Sequence, residues 1–178
     1  MSSNVSGGAY ALTVLTPIHP EREQVLRKYL EHLTHEDSPL GDFPGTHFGR
    51  WVILQNFVTA TDQPKAEHLS CRYLLFSSCF DGPLMPYLEA ISRQPVAGFI
   101  WDHCVGYSTA SGSAQLIQYL LHNQIDTGFF FAAYPRASLG QVRHSLLLRD
   151  QLTAFALRAQ TMRPAELQQA FAAEFGYR

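Results

Sequence analysis

Residues 96–107 read VAGFIWDHCVGY, an apolar, aromatic run with Asp102 and His103 side by side near its middle. Taken at a two-residue period the run is a strand, and the fold turns on that reading. Side chains alternate across a strand, so Phe99, Trp101, His103, Val105 and Tyr107 form one row, and Ile100, Asp102 and Cys104 the other. The aromatic row is the expected core row. It places His103 inside, bonded to a backbone carbonyl or offered to a cofactor. Asp102 then falls on the open face or on an edge strand, where a charge discourages unwanted pairing.

Upstream, YALTVLTPI (10–18) is β-branched and apolar and predicts a first strand. Pro20 suits the first turn of a helix, and Val25, Leu26, Tyr29, Leu30 and Leu33 recur at helical spacing over 20–35. EDSPLGDFPG (36–45) is a loop. HFGRWVILQNF (47–57) and CRYLLFSSCF (71–80) are a second and third strand, joined by the polar stretch 59–68 into a long hairpin. In FDGP (80–83), Asp81 or Gly82 is placed to cap a short helix opened by Pro83. With 96–107 as the fourth strand the order is β-α-β-β-α-β. That is the ferredoxin-like α+β arrangement, an antiparallel sheet in the order 4-1-3-2 with both helices on one face.

Downstream, Ser113 opens a helix with Leu116, Ile117, Leu120 and Leu121 on its apolar stripe, and GFFFAAYP (128–135) reads as a fifth strand. Ser138 and Gln141 fit a capping box for a helix of about 20 residues, and Pro164 opens a last helix ending near Phe175. The expectation is one domain over 1–178, with a core at 10–107. Residues 108–178 form a helix-strand-helix extension packed on the same sheet, since about 70 residues alone make a marginal core.

Composition narrows the function. A net charge of −2, with thirteen scattered Lys and Arg, argues against nucleic acid, because phosphate binding needs a concentrated basic surface. No apolar window of about 18 residues is present, so no membrane partner is expected. The N-terminus MSSNVSGGAYAL has no signal-peptide pattern, so a cytoplasmic location is expected. Cys71 and Cys79, about 27 Å apart if on one extended strand, cannot pair. With Cys104 they are expected to be free thiols, and no spacing suggests a metal site.

Antiparallel pairing brings the start of the second strand beside the end of the third. His47, Cys79 and Asp81 therefore gather at one end of the sheet. A carboxylate bonded to an imidazole fixes its tautomer and raises its basicity, so His47 and Asp81 are a candidate acid–base pair. The plainer alternative is that Asp81 caps a helix and His47 fills a corner. On the second strand His47, Gly49, Trp51 and Ile53 share one row and Phe48, Arg50, Val52 and Leu54 the other. Arg50 among large apolar neighbours is either an outward ion-pair partner or an anion-binding group. His19, His32, His35, His68, His122 and His144 form no HxxxH pair, and nucleotide-binding glycine motifs are absent.

HFGRWVI (47–53), LLFSSCFDGPLMPYLEAI (74–91) and GFIWDHCVGY (98–107) together resemble a group of largely uncharacterised bacterial ferredoxin-like proteins. At superfamily level they are similar to the dimeric α+β barrel proteins, among them cofactor-free monooxygenases, chlorite-dismutase-like proteins and dye-decolorising peroxidases. The resemblance implies self-association, redox or oxygen chemistry, and haem as a conceivable cofactor. Asp81-Gly82 matches only the end of the peroxidase GxxDG motif, because Ser78 stands where its first Gly would be.

Two functions follow as expectations. The first is a small-molecule-binding protein, an enzyme of redox or oxygen chemistry or a sensor, with a pocket on the open sheet face. There His47, Asp81 and Arg50 would be catalytic and His103 and Asp102 cofactor-binding. The second is a non-catalytic module using the open face as a homodimer or partner interface.

Overall fold

In a computed structural model, the structure describes residues 4–33, 38–43, 45–55 and 69–176. The expected turn at 59–68, the end of the second strand and the histidines His35 and His68 lie outside them. The chain divides into two compact units, 1–139 and 140–178.

The first unit is α+β. Its strands β1 (Val5–Ser6), β2 (Ala9–Pro17), β3 (Thr46–Leu54) and β4 (Tyr73–Asp81) form an antiparallel sheet in the order β1-β2-β4-β3. Its helices are α1 (Glu23–Glu31), α2 (Leu84–Ser92), α3 (Pro95–Trp101) and α4 (Gly112–His122). The expected first, third and second strands lie side by side as β2, β4 and β3. The fourth does not exist, so the 4-1-3-2 order is replaced.

Residues 96–107 are instead a helix and a turn. Pro95 opens α3 at its first position, where a missing N–H costs nothing. Ala97, Ile100, Trp101 and Cys104 are all fully buried, and their spacing of three, one and three is that of a helix face. A short apolar run satisfies both periods, and here the proline and the helical period prevail. Cys104 still reaches the outer edge of β2, through a single bridge to Ile18. Val105 N–H donates to Pro17 O at 2.8 Å and Ile125 N–H to Thr13 O at 2.8 Å. Beyond the two-residue β1, the edge of β2 is thus satisfied by turns rather than by a strand.

One face of the sheet holds the core. Leu12, Val14, Leu74, Phe76 and Phe80 pack under Leu26 of α1, Leu88 and Ile91 of α2, Ile100 and Trp101 of α3 and Leu116 and Leu120 of α4. Trp101 meets Phe76 edge-on with ring centroids 5.3 Å apart. Gly49 sits on this face against Leu40, which belongs to a 3-10 turn at Pro39–Asp42.

The expected fifth strand, 128–135, is also absent. The segment is irregular and held to the β1–β2 hairpin by single bonds: Gly8 N–H to Pro135 O at 2.7 Å and Ala132 N–H to Ser6 Oγ at 3.3 Å. Buried Asn4 fastens its start, donating to Asp126 Oδ1 at 2.9 Å and accepting from Thr127 N–H at 2.7 Å. Gly7 has φ +63, and a Cβ there would overlap Pro135 O, so glycine is required for this contact.

The second unit carries nearly all of α5 (Leu139–Ala159) and all of α6 (Pro164–Phe175). Phe155 packs against Phe171 and Phe175 at 5.7 and 5.4 Å, and Arg158 pairs with Glu174 at 2.6 Å. Among the described residues no helix is long and apolar enough to cross a membrane.

Candidate functional site

The site begins with an irregularity in β3. Thr46 pairs with Phe80 and Phe48 with Cys79, so His47 is an extra residue in a β-bulge. A bulge re-aims the side chain it carries. Thr46 Oγ1 turns toward the core and meets the Tyr87 hydroxyl at 3.1 Å, which in turn meets Ser78 Oγ at 2.6 Å. Phe48 already belongs to the open face, and His47 is left to reach across to Asp81, its Nε2 lying 2.8 Å from Asp81 Oδ1. His47 therefore leaves the row it was expected to share with Gly49, Trp51 and Ile53.

Asp81 ends β4. It does not cap α2, whose first turn has Pro83 at the cap and no side-chain bond. Its second oxygen accepts the Leu139 backbone N–H at 2.7 Å. An ionised carboxylate only accepts, so the His47 proton sits on Nε2 and the free lone pair on Nδ1. Gly45, at φ +67, lets the backbone close on this corner: a Cβ there would stand 3.0 Å from Asp81 Cβ.

Cross-strand partners share a face, so the register gives the open face in rows. Pro17–Tyr73–Leu54 and Leu15–Leu75–Val52 are apolar, Thr13–Ser77–Arg50 is polar, and Ala11–Cys79–Phe48 is apolar again. Arg50 and Ser77 of the polar row and the row nearest the His47–Asp81 corner border a cavity of about 490 Å³, whose lining also takes in Gly49, Ser78 and Phe130. Phe130 comes from the 128–135 segment, whose neighbours Phe129 and Phe131 are 84% and 70% exposed. His47 and Asp81 stand at the rim of this cavity rather than in its lining.

Cys79 and Cys104 are not placed as nucleophiles. Burial first, and the Asp81 charge second, push Cys79 up; burial pushes Cys104 up to about 12, against a lowering by its Thr16 hydrogen bond. A thiol so held stays protonated and unreactive near neutrality.

His103 and Asp102 lie on the helix-clad side. His103 is buried, Nδ1 donates to Phe99 O at 2.8 Å, and its ring meets Phe99 at 4.9 Å. Asp102 ends α3, where it accepts from Thr109 N–H at 2.8 Å and pairs with Arg22 at 2.8 Å. Bonds from Thr109 first, then Arg22, hold its carboxyl below the usual range, against partial burial. Both residues are occupied in closing the α3 turn, on the opposite side of the sheet from the cavity, and the surroundings of His103 are protein side chains. They do not fit a haem, and the opposite-faces arrangement expected for them is replaced by a helix end. Among the described residues no three His, Cys, Asp or Glu side chains converge as metal ligands.

Thr13, Ser77 and Phe130 did not stand out in the sequence. Lone hydroxyls on strands look like solvated positions, and Phe130 is masked among three consecutive phenylalanines. The register of the hairpin was the usable signal for Ser77.

No family model, no curated protein and no solved structure matches the chain. The fold and the site therefore carry the functional argument by themselves.

Proposed function

We propose that the 1–139 unit binds a small organic molecule on the open sheet face and that His47, held by Asp81, exchanges a proton with it. The observation that carries this is the bulge at His47, which brings an imidazole to 2.8 Å from a carboxylate beside a cavity. With Nε2–H committed to Asp81, Nδ1 is the atom that takes a proton from an acidic O–H or C–H, and Asp81 stabilises the imidazolium that results. The redox or oxygen chemistry implied by the resemblance would begin at this pair, with deprotonation of an oxidisable ligand.

The test is saturation-transfer NMR with a panel of aryl acids, amides and phenols, on the full chain and on Ala11→Trp, which fills the cavity. Panel members are expected to bind the wild type and to lose binding in the variant. No binding by any member, or undiminished binding to Ala11→Trp, would overturn the reading.

A second reading rests on the apolar rows of the same face and on Phe48, which is 78% exposed: the face pairs with a second copy. Sedimentation velocity is then expected to show a dimer that Leu75→Glu dissociates. A monomer at all concentrations removes this reading.

A further inference from the structure

We infer that the ligand of the open-face cavity is a monoanionic aryl carboxylate whose acidic proton lies at the far end of its planar body from the carboxylate; this rests on the small-molecule reading above. The polar row is the starting point. Arg50, Ser77 and Thr13 are cross-strand neighbours in the middle of an otherwise apolar face. Among the described residues none of their side chains has a hydrogen-bond or ion-pair partner. A guanidinium presents a planar fork that fits the two oxygens of a carboxylate, and the neighbouring Ser77 hydroxyl, which also lines the cavity, supplies a further donor.

Charge selects a monoanion. Among the described residues Arg50 is the only cationic side chain in the cavity lining, which includes no helix N-terminus. Asp81 lies two residues beyond Cys79 on the same row of β4. One positive group with a carboxylate at the far rim suits a single negative charge and opposes a phosphate dianion.

Shape selects a planar body. From the polar row the cavity runs toward Ala11, Cys79 and Phe48, with Phe130 contributing a second ring to its lining. Aromatic faces and a short apolar floor accept an aryl ring and offer no partner to a polyhydroxylated one.

Length places the proton. Arg50 and His47 are three residues apart on one strand, on the order of 10 Å. A ligand anchored at Arg50 reaches the His47 Nδ1 when its acidic group is at the opposite end, as in a para-hydroxyaryl alkanoate.

Isothermal titration of the full chain with 3-(4-hydroxyphenyl)propanoate and with its neutral carboxamide tests this. The acid is expected to bind about ten-fold more tightly than the amide, the range of a charge-assisted hydrogen bond. Arg50→Gln, on an exposed side chain, should bring acid and amide to about equal affinity, and Ser77→Ala should reduce the preference by about three-fold. Equal affinity for acid and amide in the wild type, or an acid preference that survives Arg50→Gln, would overturn the inference while leaving small-molecule binding intact. Failure of both compounds together with the whole panel above would instead overturn the binding reading on which it rests.

Discussion

The two faces of one sheet have opposite characters although the same strands supply both. On the helix-clad face Val14, Phe76 and Phe80 are completely buried, and Ser78 is satisfied by Tyr87. On the other, Leu15, Leu75 and Val52 keep part of their surface, and the middle row carries Arg50, Ser77 and Thr13 without partners among the described residues. Alternation at a period of two buries one side and leaves the other partly exposed, so adjacent residues should respond very differently to mutation.

The largest contrast is between Phe76 and Ser77. Phe76→Ala removes a buried ring that touches Trp51 and Trp101 and is expected to cost about 3–5 kcal/mol. Ser77→Ala, one residue along, should change stability by about 0.5 kcal/mol or less. Chemical denaturation of the two variants checks this, and similar losses in both would break the comparison.

Gly45→Ala comes next, because it acts where the two faces meet the rim. Its φ of +67 and the 3.0 Å approach to Asp81 Cβ should cost about 1–3 kcal/mol and displace His47 from Asp81. Imidazole nitrogen NMR reads the second effect: in the wild type at high pH the proton is expected on Nε2, and in Gly45→Ala the two tautomers should mix.

The smallest effect belongs to the helix side. Asp102 has a lowered folded pKa, from Thr109 first and Arg22 after it, against partial burial. Its contribution is therefore present above the ordinary carboxylate value near 4 and lost as pH falls through the depressed one. Wild type and Asp102→Asn should differ by about 1 kcal/mol or less at pH 7 and converge in acid. A difference that grows in acid would reverse the assignment.

How far the sequence revealed this division depends on the element. The alternation in YLLFSSCFD (73–81) and in the second strand is unambiguous, so the neighbourhood of β2, β4 and β3 was legible, and with it the approach of His47 to Asp81. The 96–107 run was not, because four buried positions at helical spacing were overlaid on an aromatic alternation and only Pro95 broke the tie. The bulge was hidden as well. It depends on Gly45 closing on Asp81 and on Thr46 turning to Tyr87, contacts between residues far apart in the chain. The polar row became visible only once the cross-strand register put Thr13, Ser77 and Arg50 together.

Mapping backbone amide shifts on titration with the best-binding panel member tests the central claim most directly. The account predicts shifts confined to the open-face rows, at Ala11, Thr13, Phe48, Arg50, Ser77 and Cys79, together with a change at the His47 Nδ1. Shifts centred on α1–α4, or binding that leaves His47 untouched, would contradict it.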